Sequence, residues 1–143
     1  MHQIQLNNLQ LNIVRFCANE CHNQRSGERS VARMVQAYNE AVNYWMAYGT
    51  IATEALILRL ARIIDPRNEK GYRLTPVVFE QEWYPVSKPE HIQRQMELLL
   101  ENVDKQTLDE FVKRFLEIHP FEDGNGRVAA ILYNFIDGML QAS

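Results

Sequence analysis

Apolar residues recur along the chain at three- and four-residue intervals, the period that gathers them on one side of a helix. From about Asn8 to Cys21 they fall at Leu9, Ile13, Phe16 and Cys17. After the polar stretch CHNQRSGERS, a second stripe runs through Val31, Met34, Val35, Tyr38, Val42 and Trp45 until Gly49 interrupts it. The segment TIATEALILRLARIID, Thr50 to Asp65, is apolar on nearly every side, as in a helix at the centre of a fold, and Pro66 stops it. NEKGYRLTPVVFEQEWYP follows, rich in Val, Phe, Trp, Tyr and Thr. Pro76 and Pro85 exclude a central strand, so it reads as a short hairpin or flap. Ser87 with Glu90 predicts a capping box ahead of a helix carrying Ile92, Met96, Leu99 and Leu100. Thr107 with Glu110 predicts another, ahead of Leu108, Phe111, Val112, Phe115, Leu116 and His119. A last helix from about Asn125 to Leu140 turns Val128, Ile131, Leu132, Phe135, Ile136 and Met139 inward. The predicted class is mostly α with one small β element, without repeat or linker.

The 143 residues suit one domain, and 46% hydrophobic content supports a core without disulfides or metals. A net charge of -3 and a pI near 5.8 argue against bulk nucleic acid as a partner while leaving room for a local anion site. No apolar run is long enough to cross a bilayer, so no membrane partner is expected. The start shows no basic region followed by a continuous apolar one. Cys17 and Cys21 make no disulfide framework, and with His22 they fall short of the four ligands zinc usually takes. The expected setting is the cytoplasm, of the cell that makes the protein or of one into which it is delivered.

One stretch carries chemistry: HPFEDGNGR, His119 to Arg127. His119 ends one helix and a tight loop feeds the start of the next. Gly124 and Gly126 carry no side chain, so a ligand can approach the backbone N–H groups. A helix start has unpaired donors and partial positive charge, which suit phosphate. Asp123 sets a carboxylate beside that anion site, as Mg²⁺ requires; capping the helix is its structural alternative. Arg127 adds a guanidinium fork for phosphate. His119 can accept a proton near neutral pH. A base, a metal ligand and a phosphate cradle suit attack of a hydroxyl on a nucleotide phosphate. Glu122 reads as solvated. Asn134 shares the helix face of Arg127 and fits either a core hydrogen bond or a nucleoside contact.

The order of these residues resembles the Fic family, whose motif reads His-x-Phe-x-(Asp/Glu)-Gly-Asn-Gly-Arg-x-x-Arg. The chain matches at His119, Phe121, Asp123, Gly124, Asn125, Gly126 and Arg127, with the frequent Pro120. Gly71, Tyr72 and Arg73 ahead of Val77 and Val78, then Tyr84 and Pro85, resemble the family's flap, and Leu132 and Asn134 its last helix. The resemblance spans roughly Thr50 to Leu140; residues 1–30 would be a helical extension. It implies a Fic-like helical bundle with a short β-hairpin flap. It also implies a nucleotidyltransferase that moves AMP or another nucleoside monophosphate from ATP or another nucleotide, with Mg²⁺, to a Ser, Thr or Tyr hydroxyl of a protein substrate. His119 would take the hydroxyl proton and Asp123 would hold Mg²⁺. Asn125 and the backbone of Gly124 and Gly126 would bind the α-phosphate, and Arg127 the β-phosphate. Phe121 would anchor the loop. The flap, with Leu74, Thr75, Val77 and Val78, would dock the target as an added strand.

The chain departs from the family at the last motif position, where Ala130 replaces the arginine that helps hold the γ-phosphate. That leaves open a donor other than ATP, or a non-catalytic module that binds a nucleotide or a partner. The Doc-like kinase branch usually has Lys where this chain has Gly126; that Lys crowds the anion hole and flips the nucleotide, so Gly126 favours nucleotidyl over phosphoryl transfer. Thr50 and Glu54 have the spacing of the family's inhibitory motif. Ala55 fills its last place, however, and the arginine that Glu54 would meet is Ala130. Glu54 is therefore expected to be an ordinary polar position, and a separate partner chain could supply inhibition.

Overall fold

The computed structural model describes residues 2–77 and 86–142, with side chains for 9–77 and 86–137. Six α-helices order the described residues: α1 His2–Asn23, α2 Glu28–Tyr48, α3 Glu54–Ile64, α4 Ile92–Glu101, α5 Leu108–Ile118 and α6 Asn125–Ala142. Short 3-10 turns at Pro66–Asn68, Pro89–His91 and Val103–Lys105 link them. The apolar stripes decide which faces meet. α2 lies between α1 and α3, α3 also packs on α6, and α5 bridges α4 and α6. Leu56, Ile57, Leu60, Ala61 and Ile64 of α3 are buried, as its nearly all-apolar sequence predicts, although Arg59 leaves the core to pair with Glu40 at 2.7 Å. α6 buries Val128, Ile131, Leu132 and Phe135, with Ile136 half-buried. Met139 lies outside the described side chains. On α1, Ile13 and Cys17 face inward, but Leu9 is exposed.

The helix ends follow local chemistry. Gly49 closes α2 in the left-handed conformation. The Thr53 hydroxyl accepts the Leu56 N–H at the start of α3, and the Thr107 hydroxyl accepts the Glu110 N–H at 3.1 Å at the start of α5. The capping box expected from Ser87 and Glu90 does not form. Pro89 opens a 3-10 turn instead, and Ser87 is turned toward other partners: its hydroxyl meets the Gln95 side chain and its N–H donates to the Glu117 carbonyl at 3.2 Å. No strand occurs among the described residues. Leu74, Thr75 and Val77 of the expected flap lie in irregular backbone, whereas Val78, Tyr84 and Pro85 fall outside the described residues. No described helix is long and apolar enough to cross a membrane.

The two predicted caps are separable by mutation. Thr107→Ala should lower unfolding free energy by about 1 kcal/mol, and Ser87→Ala should lose only the hydroxyl's bond to Gln95, so that it adds little in a Gln95→Ala background, as urea denaturation of each variant would read.

Candidate active site

The turn between α5 and α6 has no ladder of its own, and side chains grip its backbone one residue after another. His119 caps α5 in the left-handed conformation, φ +50°, its N–H donating to the Phe115 carbonyl at 3.0 Å. Such a backbone costs a non-glycine residue about 1–2 kcal/mol unless its surroundings enforce it. Arg73 does the enforcing. Its N–H donates to the Pro120 carbonyl at 2.8 Å and its Nε to the His119 carbonyl at 2.5 Å. Its Nη atoms reach the carbonyls of Thr75, Ile118 and Ser87. Asn125 brackets Phe121, accepting its N–H at 3.0 Å and donating to its carbonyl at 2.9 Å. Asn68 donates to the Asp123 carbonyl at 2.8 Å and to that of Ala61 at 3.0 Å. Phe121 is fully buried between Tyr72 and Phe115, with ring centroids 5.6 and 6.5 Å away. Among the described residues the buried polar side chains are Asn68, Arg73, Asn125 and Arg127, and every one serves this turn or the cavity beside it.

Two glycines shape the start of α6. Gly124 has φ +81°, and a Cβ there would come within 2.7 Å of Ile64 Cγ2. A Cβ on Gly126 would meet the amide oxygen of Gln24 at 2.6 Å, so the end of α1 stands directly over this helix start. Next to it opens a cavity of about 380 Å³, lined by Arg25, Arg29, Arg33, Arg67 and Arg127 against only two carboxylates, Asp65 and Asp123. In a chain of net charge -3 this is a marked local reversal of sign.

A family model described as the Fic/DOC family matches residues 51–136. The chain belongs to the Fic/DOC family. No curated protein sequence matches it. The helical architecture is that of the Fic fold, and the members of this family are generally transferases.

With the family in hand, the motif residues divide by what they touch. Asp123 and Arg127 line the arginine-rich cavity together. The Asp123 carboxylate accepts the Gly124 N–H at 2.7 Å and Arg67 Nη2 at 2.5 Å, and Arg127 Nη2 lies 3.7 Å away. The Asn125 side chain is occupied by Phe121, so its backbone N–H is what it can offer an anion. Asn134 takes the core alternative, accepting the Tyr38 hydroxyl at 2.7 Å. Glu54 accepts from Tyr72 at 2.8 Å and Gln93 at 3.0 Å, tying α3 to α4. Glu122 is exposed, as expected, and also binds Thr75: the Thr75 hydroxyl lies 3.0 Å from both carboxylate oxygens, which joins that segment to the motif turn.

Four arginines on the cavity are absent from the motif. Arg67 is fixed by Asp65, which accepts its backbone N–H at 2.9 Å and its guanidinium at 2.8 Å. Those bonds hold the Asp65 carboxyl below the usual carboxylate range. Asp-Pro-Arg at the end of α3 was the available signal for this pair. Arg25, Arg29 and Arg33 lie in the polar break and the early part of α2, where Arg29 and Arg33 have one-turn spacing.

Burial lowers the His119 pKa from its ordinary 6.5; the Arg73 charge pushes the same way and Asp123 opposes. The native imidazole is therefore neutral at pH 7, and the unfolded chain binds the proton more readily. His119 stabilises the fold fully above pH 6.5, and that contribution falls as pH drops toward the native pKa. NMR titration, assigned with His119→Asn, should give a midpoint below 6.5; a midpoint at or above 6.5 would contradict the burial. Gly124→Ala should cost at least about 1 kcal/mol from φ alone, whereas Gly126→Ala should cost little, because the exposed Gln24 side chain can move; thermal unfolding of the pair measures the difference.

Proposed function

We propose that the chain transfers a nucleoside monophosphate, AMP in the simplest case, from a Mg²⁺-bound nucleotide to a Ser, Thr or Tyr hydroxyl of another protein. One observation carries the reading: a neutral imidazole and a positively charged, helix-start cavity with a carboxylate on its wall are held at the two ends of one clamped turn. Phosphate oxygens would sit at the N–H groups of Asn125 and Gly126, and at that of Gly124 once the Asp123 carboxylate releases it, with the Arg127 guanidinium on the leaving side. The hydroxyl proton passes to the unprotonated ring nitrogen of His119, the hydroxyl oxygen bonds to the α-phosphorus, and the bond to the bridging oxygen of the β-phosphate breaks. With ATP as donor, pyrophosphate leaves.

The donor set fits Mg²⁺. Asp123 offers a half-exposed carboxylate beside the anion site, with Asp65 on the same wall, and Mg²⁺ takes one or two carboxylates with phosphate oxygens and water. The described residues hold no group of three His, Cys, Asp or Glu side chains suited to a metal, so the ion would arrive with its nucleotide. When bound it neutralises phosphate charge. Asp123 has to leave Arg67 to meet it, and Arg67 keeps Asp65 as a partner. Leu74, Thr75, Val77 and Val78 remain the proposed docking segment for the target, and a partner chain the proposed source of any inhibition.

A second reading, phosphoryl transfer, draws on Gln24. Its side chain fills the space over Gly126 that a lysine at that position would take in Doc-like kinases. Donors labelled on the α- or the γ-phosphate separate the readings when incubated with Mg²⁺ and a cell lysate. Transfer of the α-label, lost in His119→Ala by at least about a hundredfold, supports nucleotidyl transfer. Transfer of the γ-label alone supports the kinase, and equal labelling by wild type and His119→Ala overturns both.

A further inference from the structure

The cavity beside the cradle is deeper in positive charge than the motif requires, and three of its four additional arginines come from the α1–α2 turn and α2, outside residues 51–136 that match the family model. Arg29 and Arg33 are four residues apart on α2, so both project from one helix face. Arg25 sits in the turn before it, at φ +57°, a left-handed backbone unusual for arginine. Hydrogen bonds fix that turn: Arg25 N–H to the His22 carbonyl at 3.1 Å and Ser26 N–H to the Cys21 carbonyl at 2.7 Å. All three side chains are exposed to solvent and line the same cavity as Asp123 and Arg127. None makes a side-chain hydrogen bond or ion pair with a described residue. Three like charges gathered on one wall repel one another, and an anion with several charged oxygens removes that repulsion while accepting several N–H donors.

Ala130 lies elsewhere. It lines a separate cavity of about 290 Å³ with Glu20, Asn134 and the far side of Gly126. Nothing cationic in that cavity replaces the missing motif arginine. We infer that Arg25, Arg29 and Arg33 form the subsite for the terminal phosphate of a nucleoside triphosphate, built by the α1–α2 turn and α2 in a cavity that Ala130 does not line. This rests on the proposed nucleotide reading of the cradle and extends it to the length of the donor: a triphosphate is held better than a diphosphate, and a diphosphate better than a monophosphate.

Calorimetric titration of the full chain in Mg²⁺ with ATP, ADP, AMP and inorganic tripolyphosphate tests it. Wild type should rank ATP above ADP above AMP. Arg29→Gln with Arg33→Gln should weaken ATP and tripolyphosphate by roughly tenfold or more, leave AMP within about twofold, and leave the helical circular dichroism intact. Arg25→Gln alone should weaken ATP by a smaller factor of the same pattern. Equal losses for ATP and AMP, or no loss for either, overturn the inference, as does a wild type that binds none of the four. Label transfer to lysate proteins is scored in parallel. Arginine-dependent tripolyphosphate binding without transfer keeps the subsite and removes the transferase reading, while transfer with an unchanged KM for ATP in the double variant does the reverse.

Discussion

A guanidinium buried at 1% exposure, with backbone carbonyls for partners, is the constraint on which the site depends. Burial pushes the Arg73 pKa down from its ordinary value, and Glu122 opposes that push. A buried charge is tolerated only when its donors are satisfied. Here they are satisfied by the C-terminal end of α5, where free carbonyls carry partial negative charge, and by the carbonyls of Thr75 and Ser87. Losing the side chain would strand those carbonyls in the interior, each costing on the order of 1–3 kcal/mol. The left-handed turn at His119 is held by this one cation, and the Asn125 amide places Phe121 just beyond it.

The helices and the motif turn were legible because both are local. A three-to-four spacing in α3, α5 and α6 specifies a buried face, and HPFEDGNGR brings its own turn chemistry. Thr107 could be read as a cap for the same reason. Ser87 could not, since its capping role was lost to Pro89, which sets a 3-10 turn, and to Gln95 and Glu117, which are remote in sequence. The roles of Asn125 and Glu122 also depended on partners that adjacency does not announce: the amide that looked free for phosphate closes the loop on Phe121, and the carboxylate, exposed as expected, also binds Thr75.

The arginine-lined cavity was the least legible feature. Its lining comes from the α1–α2 turn, the start of α2, the end of α3 and the start of α6. Over the whole chain acidic residues outnumber basic ones, and this average conceals the local excess. By composition, the polar stretch between the first two helices reads only as a break between them. Its position against α6 arises from the packing of α1 on α2 and α6, which buries Cys17, Cys21 and Met34.

The contact between Gly124 and Ile64 has a consequence for how this sequence can change. The floor of the cradle and the last turn of α3 share one gap, already filled by the isoleucine branch. Positions 64 and 124 should therefore drift together: a bulkier residue at either is admissible only after the other shrinks, and the φ at 124 keeps that option nearly closed. A library that randomises the loop while holding α3 fixed will recover glycine at 124, and the variation it accepts will collect on the solvent side of the turn.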